Sequence, residues 1–215
     1  MASIDRRSLL RTLSASSPTI KKIADEMVRE QFFEPAVEAM KHEFDEHPVT
    51  QEIDAGVDAP NISNTLVPSS YDHMNLFSFI GFNAGDHPTD EIRSRLSPDS
   101  PDGPKMSYIG KDSNRLEFHY KISSPSQDAI YQATPLPWAP GISWAKRIEV
   151  GMAGLGQFLN LSEGQSRSNS RSGGGIQVKN TLRPGVQYRA TSYLSSIFNN
   201  FLHHMKGDRS FRPTH

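Results

Sequence analysis

An α+β fold is predicted, with N-terminal helices packed on a small antiparallel sheet, a long hairpin and a C-terminal helix. Three stretches predict it. Residues 18–46 carry apolar side chains at helical spacing over a long acidic segment. Leu116, Phe118, Tyr120 and Ile122 alternate with Glu117, His119 and Lys121, the period of a half-buried strand. Tyr193, Leu194, Ile197, Phe198, Phe201, Leu202 and Met205 make one wide apolar face of a final helix over about 192–206.

The elements follow in order. Residues 4–15 read as a short helix, with Ile4, Leu9, Leu10 and Leu13 near helical spacing and Arg6, Arg7 and Arg11 on the polar side. Ser17 is placed to cap the next helix and Pro18 suits its first turn, where no backbone donor is needed. Within 18–46, Ile20, Ile23, Ala24 and Met27 form one stripe, and Phe33, Ala36, Val37, Met40 and Phe44 a second. The phase changes close to Pro35, which should kink or divide the helix. Glu26, Glu30, Glu34, Glu38 and Asp45 make the opposite face acidic, and His47-Pro48 should end the helix.

Residues 49–74 read as an irregular loop, long enough to reach beyond the subunit. Leu76 to Phe82 is an apolar run of strand length, and a short helix is expected over about 89–96, with Asp90 and Glu91 at its start and Arg93 and Arg95 at its end. Residues 97–104 are a turn cluster. Ala129 to Thr134 is a candidate hairpin partner for the alternating strand, and 134–141 is too proline-rich for a central strand. Ser143 resembles an N-cap, with Trp144, Ile148, Met152 and Leu155 at helical spacing behind it and Gly151, Gly154 and Gly156 weakening the helix end. Trp144 is assigned to the core. Phe158–Leu161 and Ile176–Lys179 read as two strands joined by a Ser/Gly/Arg run, Val186–Ala190 as another strand, and Thr191 as the cap of the last helix. Gly207 should stop that helix, and 208–215 is a tail. The whole is read as a single structural domain, 1–215: helices over 1–48, loop, apolar strand and short helix over 49–104, sheet and hairpin over 105–190, and helix over 191–207.

Composition narrows the function. With no cysteine, disulfides, thiolate metal sites and cysteine nucleophiles are excluded. No apolar run suits a signal peptide or a membrane span, and the short amphipathic segment after Arg6-Arg7 does not suit a twin-arginine signal. Net charge is −1, unevenly divided. Residues 1–104 hold nine Lys and Arg against eighteen Asp and Glu, and residues 105–215 fourteen against six, so the halves stand at −9 and +8. This division fits internal pairing of the halves, contact with nucleic acid, or a head-to-tail contact between copies.

No catalytic pattern emerges. His42 and His47 stand five apart with Glu43 and Glu46 between them, whereas a helix brings i and i+4 together, and the adjacent His203 and His204 point apart. There is no HExxH, GxSxG, P-loop or dinucleotide fingerprint, so no catalytic, cofactor or metal residue is assigned. The loop bearing Arg167 and Arg171 reads as a solvated tip, a phosphate contact, or an arm added to a neighbour's sheet.

Six segments carry a family likeness: His47–Gly56 (HPVTQEIDAG), Asn61–Leu66 (NISNTL), Asn75–Phe82 (NLFSFIGF), Leu136–Trp144 (LPWAPGISW), Ile148–Leu159 (IEVGMAGLGQFL) and Ser170–Gln177 (SRSGGGIQ). Together they resemble neck or tail-completion proteins of contractile-tailed bacteriophages, over about residues 40–200. The resemblance implies a non-catalytic virion protein, assembled in the host cytoplasm without cofactors. It implies a ring, commonly a hexamer, between the connector below the portal and the tail tube, and leaves connector, neck and tail-terminator roles open. A nucleic-acid-binding accessory protein using the basic half is the alternative, and non-specific contact with passing DNA is compatible with either. The candidate subunit-contact residues are Arg167, Arg171, Asp54, Asp58, Asn61, Pro137 and Trp138.

Overall fold

The computed structural model describes residues 17–67, 75–112, 117–151, 157–160, 175–178 and 187–206. The expected helix over 4–15, the Ser/Gly/Arg run, Gly207 and the tail lie outside the described residues. What is described is a mixed helix and sheet protein, with an N-terminal helix cluster, a C-terminal helix and small antiparallel two-stranded sheets.

Helix α1 (Ser17–Val28) opens with Pro18 in its first turn. It runs through a π-helical turn, Arg29–Phe33, into α2 (Glu34–Glu46). The division expected near Pro35 is this turn. Proline has no N–H to continue the ladder and its ring crowds the carbonyl four residues back, while the wider turn lets the Glu34 N–H reach the Arg29 carbonyl instead. The second apolar stripe is buried as expected, at Phe33, Ala36, Val37, Met40 and Phe44. The first is not, because Ile23 and Met27 stay exposed.

His47-Pro48 ends α2 but also starts α3 (Pro48–Asp54), so the expected loop begins with a helix. His47 is extended, as a residue before proline must be, and its Nδ1 accepts the Val49 N–H at 3.2 Å. Val49, Thr50, Glu52 and Ile53 are buried.

The run Leu76–Phe82 was expected as a strand, and Leu76–Ile80 is instead helix α4. Asn75 Oδ1 accepts the Ser78 N–H at 2.8 Å, and Gly81 closes the helix at φ 92° and ψ 33°, a left-handed geometry that favours glycine. The Asn75 amide also donates to the carbonyls of Val57 and Ala59, at 2.9 and 2.8 Å. One side chain thus caps α4 and ties down the 3-10 turn Gly56–Asp58.

Helix α5 (Asp90–Arg95) has the expected charge order. In the turn after it, a Cβ on Gly103 would stand 1.8 Å from the Ser97 carbonyl oxygen, so only glycine fits. The alternating strand is β3 (Glu117–Ser123), but its partner is β2 (Lys105–Asp112), not residues 129–134. Gln127–Ala133 is helix α6, capped by Ser126 Oγ on the Ala129 N–H and anchored by buried Ile130. Between Tyr108 and Gly110 the β2–β3 register shifts, leaving Ile109 as a bulge.

The proline-rich stretch makes a short pair, Pro135–Leu136 with Ala139–Ser143. Ser143 caps α7 (Trp144–Val150), and Gly151, at φ 101°, ends it. Gln157–Asn160 pairs antiparallel with Gly175–Val178, the expected hairpin, and the first strand, β1 (Leu66–Val67), pairs with Gln187–Tyr188.

The last helix, α8 (Leu194–Met205), is not capped by Thr191. Glu149 caps it from α7: its Oε1 accepts the N–H groups of Tyr193 and Ser195, at 3.2 and 2.7 Å. Its Oε2 accepts the Tyr131 hydroxyl at 2.6 Å. Helix α8 runs antiparallel to α2, since Phe44 stacks on Tyr193 and Phe33 meets Phe201 edge-on. Trp144, Ile148, Leu76, Phe77 and Ile80 complete the core from the other side.

Candidate functional site

Two surfaces distinguish this molecule. The first is a groove of about 850 Å³ between α2, α3 and α8. On α2, Ala36, Ala39, Met40 and Glu43 share one face, and the small side chains of Ala36 and Ala39 leave the space beside them unfilled. Ser196, Asn200, Phe201 and His204 line the other wall. Glu43 accepts a hydrogen bond from the Asn200 amide, and partial burial still raises its pKa above the ordinary carboxylate value.

His47 closes one end of the groove. Burial lowers its pKa from 6.5, while a hydrogen bond to the Ser192 backbone and the charge of Glu149 pull the other way. Its Nδ1 accepts the Val49 N–H, which makes the imidazole the cap of α3. In the unfolded chain His47 takes up its proton near 6.5, and in the folded chain only at lower pH. Its contribution is therefore complete above that value and is lost as pH falls toward the folded-state pKa. The urea midpoint should drop between pH 7.5 and 5.5, and should drop less in His47→Asn, which keeps a capping acceptor but does not titrate. Equal pH slopes in the two proteins would refute this.

The second surface is a layer of α1 against the β2–β3 hairpin. Asp25 accepts the Tyr120 hydroxyl at 2.7 Å, and the Lys21 ammonium sits 4.4 Å from the Tyr108 ring centre. Tyr108 and Tyr120 lie on the inner face of the hairpin, edge to face at 5.8 Å. The far side of α1 and its π-turn presents Ile23, Met27 and Phe32, which are 54, 47 and 58% exposed. The outer face of the hairpin presents Ile109, 65% exposed, with Glu117, His119 and Lys121.

The sequence-nominated contact residues are dispersed. Asp54 receives Arg93 Nη2 at 2.6 Å and the Thr89 hydroxyl, and Arg93 also bonds Asp45 and Asp90, both at 2.9 Å or less. Asp58 is exposed at the end of the 3-10 turn. Asn61 donates to the Leu66 carbonyl at 2.7 Å, and its Oδ1 is buried without a partner among the described residues. Pro137 is exposed, whereas Trp138 is partly buried and donates its indole N–H to the Ile80 carbonyl at 2.8 Å. Arg167 and Arg171 lie outside the described residues. The sequence reading missed the α1 stripe as a surface. Its signal was there: a stripe out of phase with the buried one, flanked by glutamates.

Among the described residues no group of three or more His, Asp or Glu could hold a metal ion, and no helix is long and apolar enough to cross a membrane. The class defined by these features is an α+β protein with small antiparallel two-stranded sheets and apolar patches on outward-facing elements. No protein-family model matches the chain, and neither a curated protein nor a solved structure is significantly similar to it.

Proposed function

We propose that the chain is a virion structural protein that forms a ring, a hexamer, in the neck of a tailed bacteriophage, linking the connector below the portal to the tail. The observation that carries this reading is the layer of α1 and hairpin, which turns exposed Ile23, Met27 and Phe32 outward on one side and exposed Ile109 on the other. Unlike faces on one subunit suit head-to-tail contacts, which close into a ring when the rotation between copies closes and run on as a filament when it does not. The uneven charge of the two halves and the segments that resemble neck and tail-completion proteins support the same reading. On it the protein is non-catalytic and needs no cofactor. A terminator position capping the tail tube would use the same contacts.

Native mass measurement at low ionic strength, with negative-stain imaging, should give a closed ring. A chain that stays monomeric, alone and with portal, connector and tail tube, would refute the reading. Arg167→Glu with Arg171→Glu should impair ring closure or stacking while leaving the fold intact, and normal particles from that variant would remove the loop from the contact. A second reading, an accessory protein that binds nucleic acid, draws on exposed Lys121 and Lys146 in the basic half. It requires DNA binding that weakens steeply with salt, and no binding at low salt would dismiss it.

A further inference from the structure

We propose that α1 is a hinged arm, which swings about the π-turn Arg29–Phe33 away from the β2–β3 hairpin and uncovers Tyr108 and Tyr120 on the hairpin's inner face. The hinge is a property of one chain and does not depend on the ring.

The turn is poorly braced. Pro35 brings no N–H to the ladder, and the Glu34 N–H reaches back five residues to the Arg29 carbonyl, so regular α-helical bonding is interrupted between α1 and α2. Arg29, Glu30, Gln31 and Phe32 are all exposed, so no packing clamps the turn from outside. Along the described residues Phe33 is the first buried side chain, and it meets Phe201 of α8 edge-on. The packed body therefore begins at Phe33.

Ahead of the turn, α1 buries little. From Pro18 to Val28 no side chain is fully buried. Its best-covered residues, Ile20, Lys21, Ala24, Asp25 and Val28, are only half-buried. Two polar side-chain contacts hold it to the hairpin among the described residues. The Asp25 carboxylate accepts the Tyr120 hydroxyl at 2.7 Å, and the Lys21 ammonium stands 4.4 Å from the Tyr108 ring centre. Lys22 and Glu26 pair with each other along the helix and do not reach across. Helix α2, beyond the turn, buries Ala36, Val37, Met40 and Phe44. Apolar burial thus fixes α2, whereas α1 is latched by one charge-assisted hydrogen bond and one cation–π contact. An arm held by contacts of that size exchanges with an open state that is measurably populated.

Because the chain has no cysteine, spin labels can be placed at two chosen sites without background. Thr19→Cys on the exposed start of α1, paired with exposed Lys121→Cys on the hairpin, reads the arm. Glu38→Cys on α2, paired with Lys121→Cys, is the fixed reference. Labelled chain is diluted into excess unlabelled chain, so that only distances within one copy are read, in a monomer and in a ring alike. The Thr19–Lys121 pair should show a main distance and a longer minor one, and the Glu38–Lys121 pair a single distance. Tyr120→Phe, which removes only the hydroxyl, should raise the ratio of long to short roughly tenfold and leave the reference distance unchanged. A Thr19–Lys121 distribution as narrow as the reference in both proteins would overturn the arm. One that is broad but unmoved by Tyr120→Phe would overturn its latch. Lengthening of both pairs together would mean that the hairpin moves and α1 does not, which also overturns the proposal.

Discussion

Replacing Glu52 with alanine should lower the unfolding free energy by about 3–5 kcal/mol, near the limit of what a domain of this size tolerates. Glu52 is fully buried on α3. Its Oε1 accepts the Leu76 N–H at 2.7 Å, and its Oε2 accepts the Ser63 N–H at 2.8 Å. The first bond places a carboxylate at the start of α4, where the helix dipole favours negative charge. The second fixes the loop ahead of Leu66–Val67. Alanine removes two charge-assisted bonds and strands two backbone donors, each costing about 1–3 kcal/mol when shielded from water. Glutamine keeps one acceptor but turns its amide donors toward the other N–H, so Glu52→Gln should cost about half as much. Urea denaturation with an unchanged slope would measure both. A loss below about 1 kcal/mol for Glu52→Ala would mean that water replaces the carboxylate, and that this bridge does not hold the loop and α4 together.

Trp144→Ala should be similarly damaging, at about 3–5 kcal/mol. Trp144 is buried at the first position of α7, and Phe82 meets it edge-on at 5.7 Å between ring centres. Its backbone N–H donates to the Thr134 carbonyl at 2.8 Å, joining α7 to the end of α6, a bond that alanine keeps, so the loss comes from the side chain. Truncation leaves a cavity among α4, α6 and α7 that rigid neighbours fill only in part. Trp144→Phe should recover more than half of the loss. If Trp144→Ala folded with wild-type stability yet failed to associate, Trp144 would be a contact residue and its assignment to the core would be wrong.

Several elements were legible because their signals are local. Pro18 in the first turn of α1, the Ser143 cap on α7 and the charge order of α5 each depend on neighbours within one turn. The alternation of β3 was equally plain. Leu76–Phe82 misled because a continuous apolar run has no period to separate a buried strand from a buried helix. Asn75 and Gly81 at its two ends were the deciding marks. Residues 129–134 misled in the same way, although Ser126 stood ready as a cap. The candidate contacts were less legible. Asp54 and Trp138 look free in the sequence, but each has a partner, Arg93 and the Ile80 carbonyl, more than thirty residues away.

The chain by itself determined where α1 and α7 start and where α2 stops, which residues of α2 and α8 turn inward, and that helix and antiparallel sheet would be mixed. Those properties follow from backbone sterics, capping and apolar spacing over a few residues. Only the tertiary structure decided that β3 pairs with β2, that Glu149 caps α8, that Glu52 bridges a loop to α4, and that the Ile23–Met27–Phe32 stripe is left facing outward. Each of these depends on groups brought together, or left uncovered, by the packing of distant segments, and spacing along the chain carries no record of that.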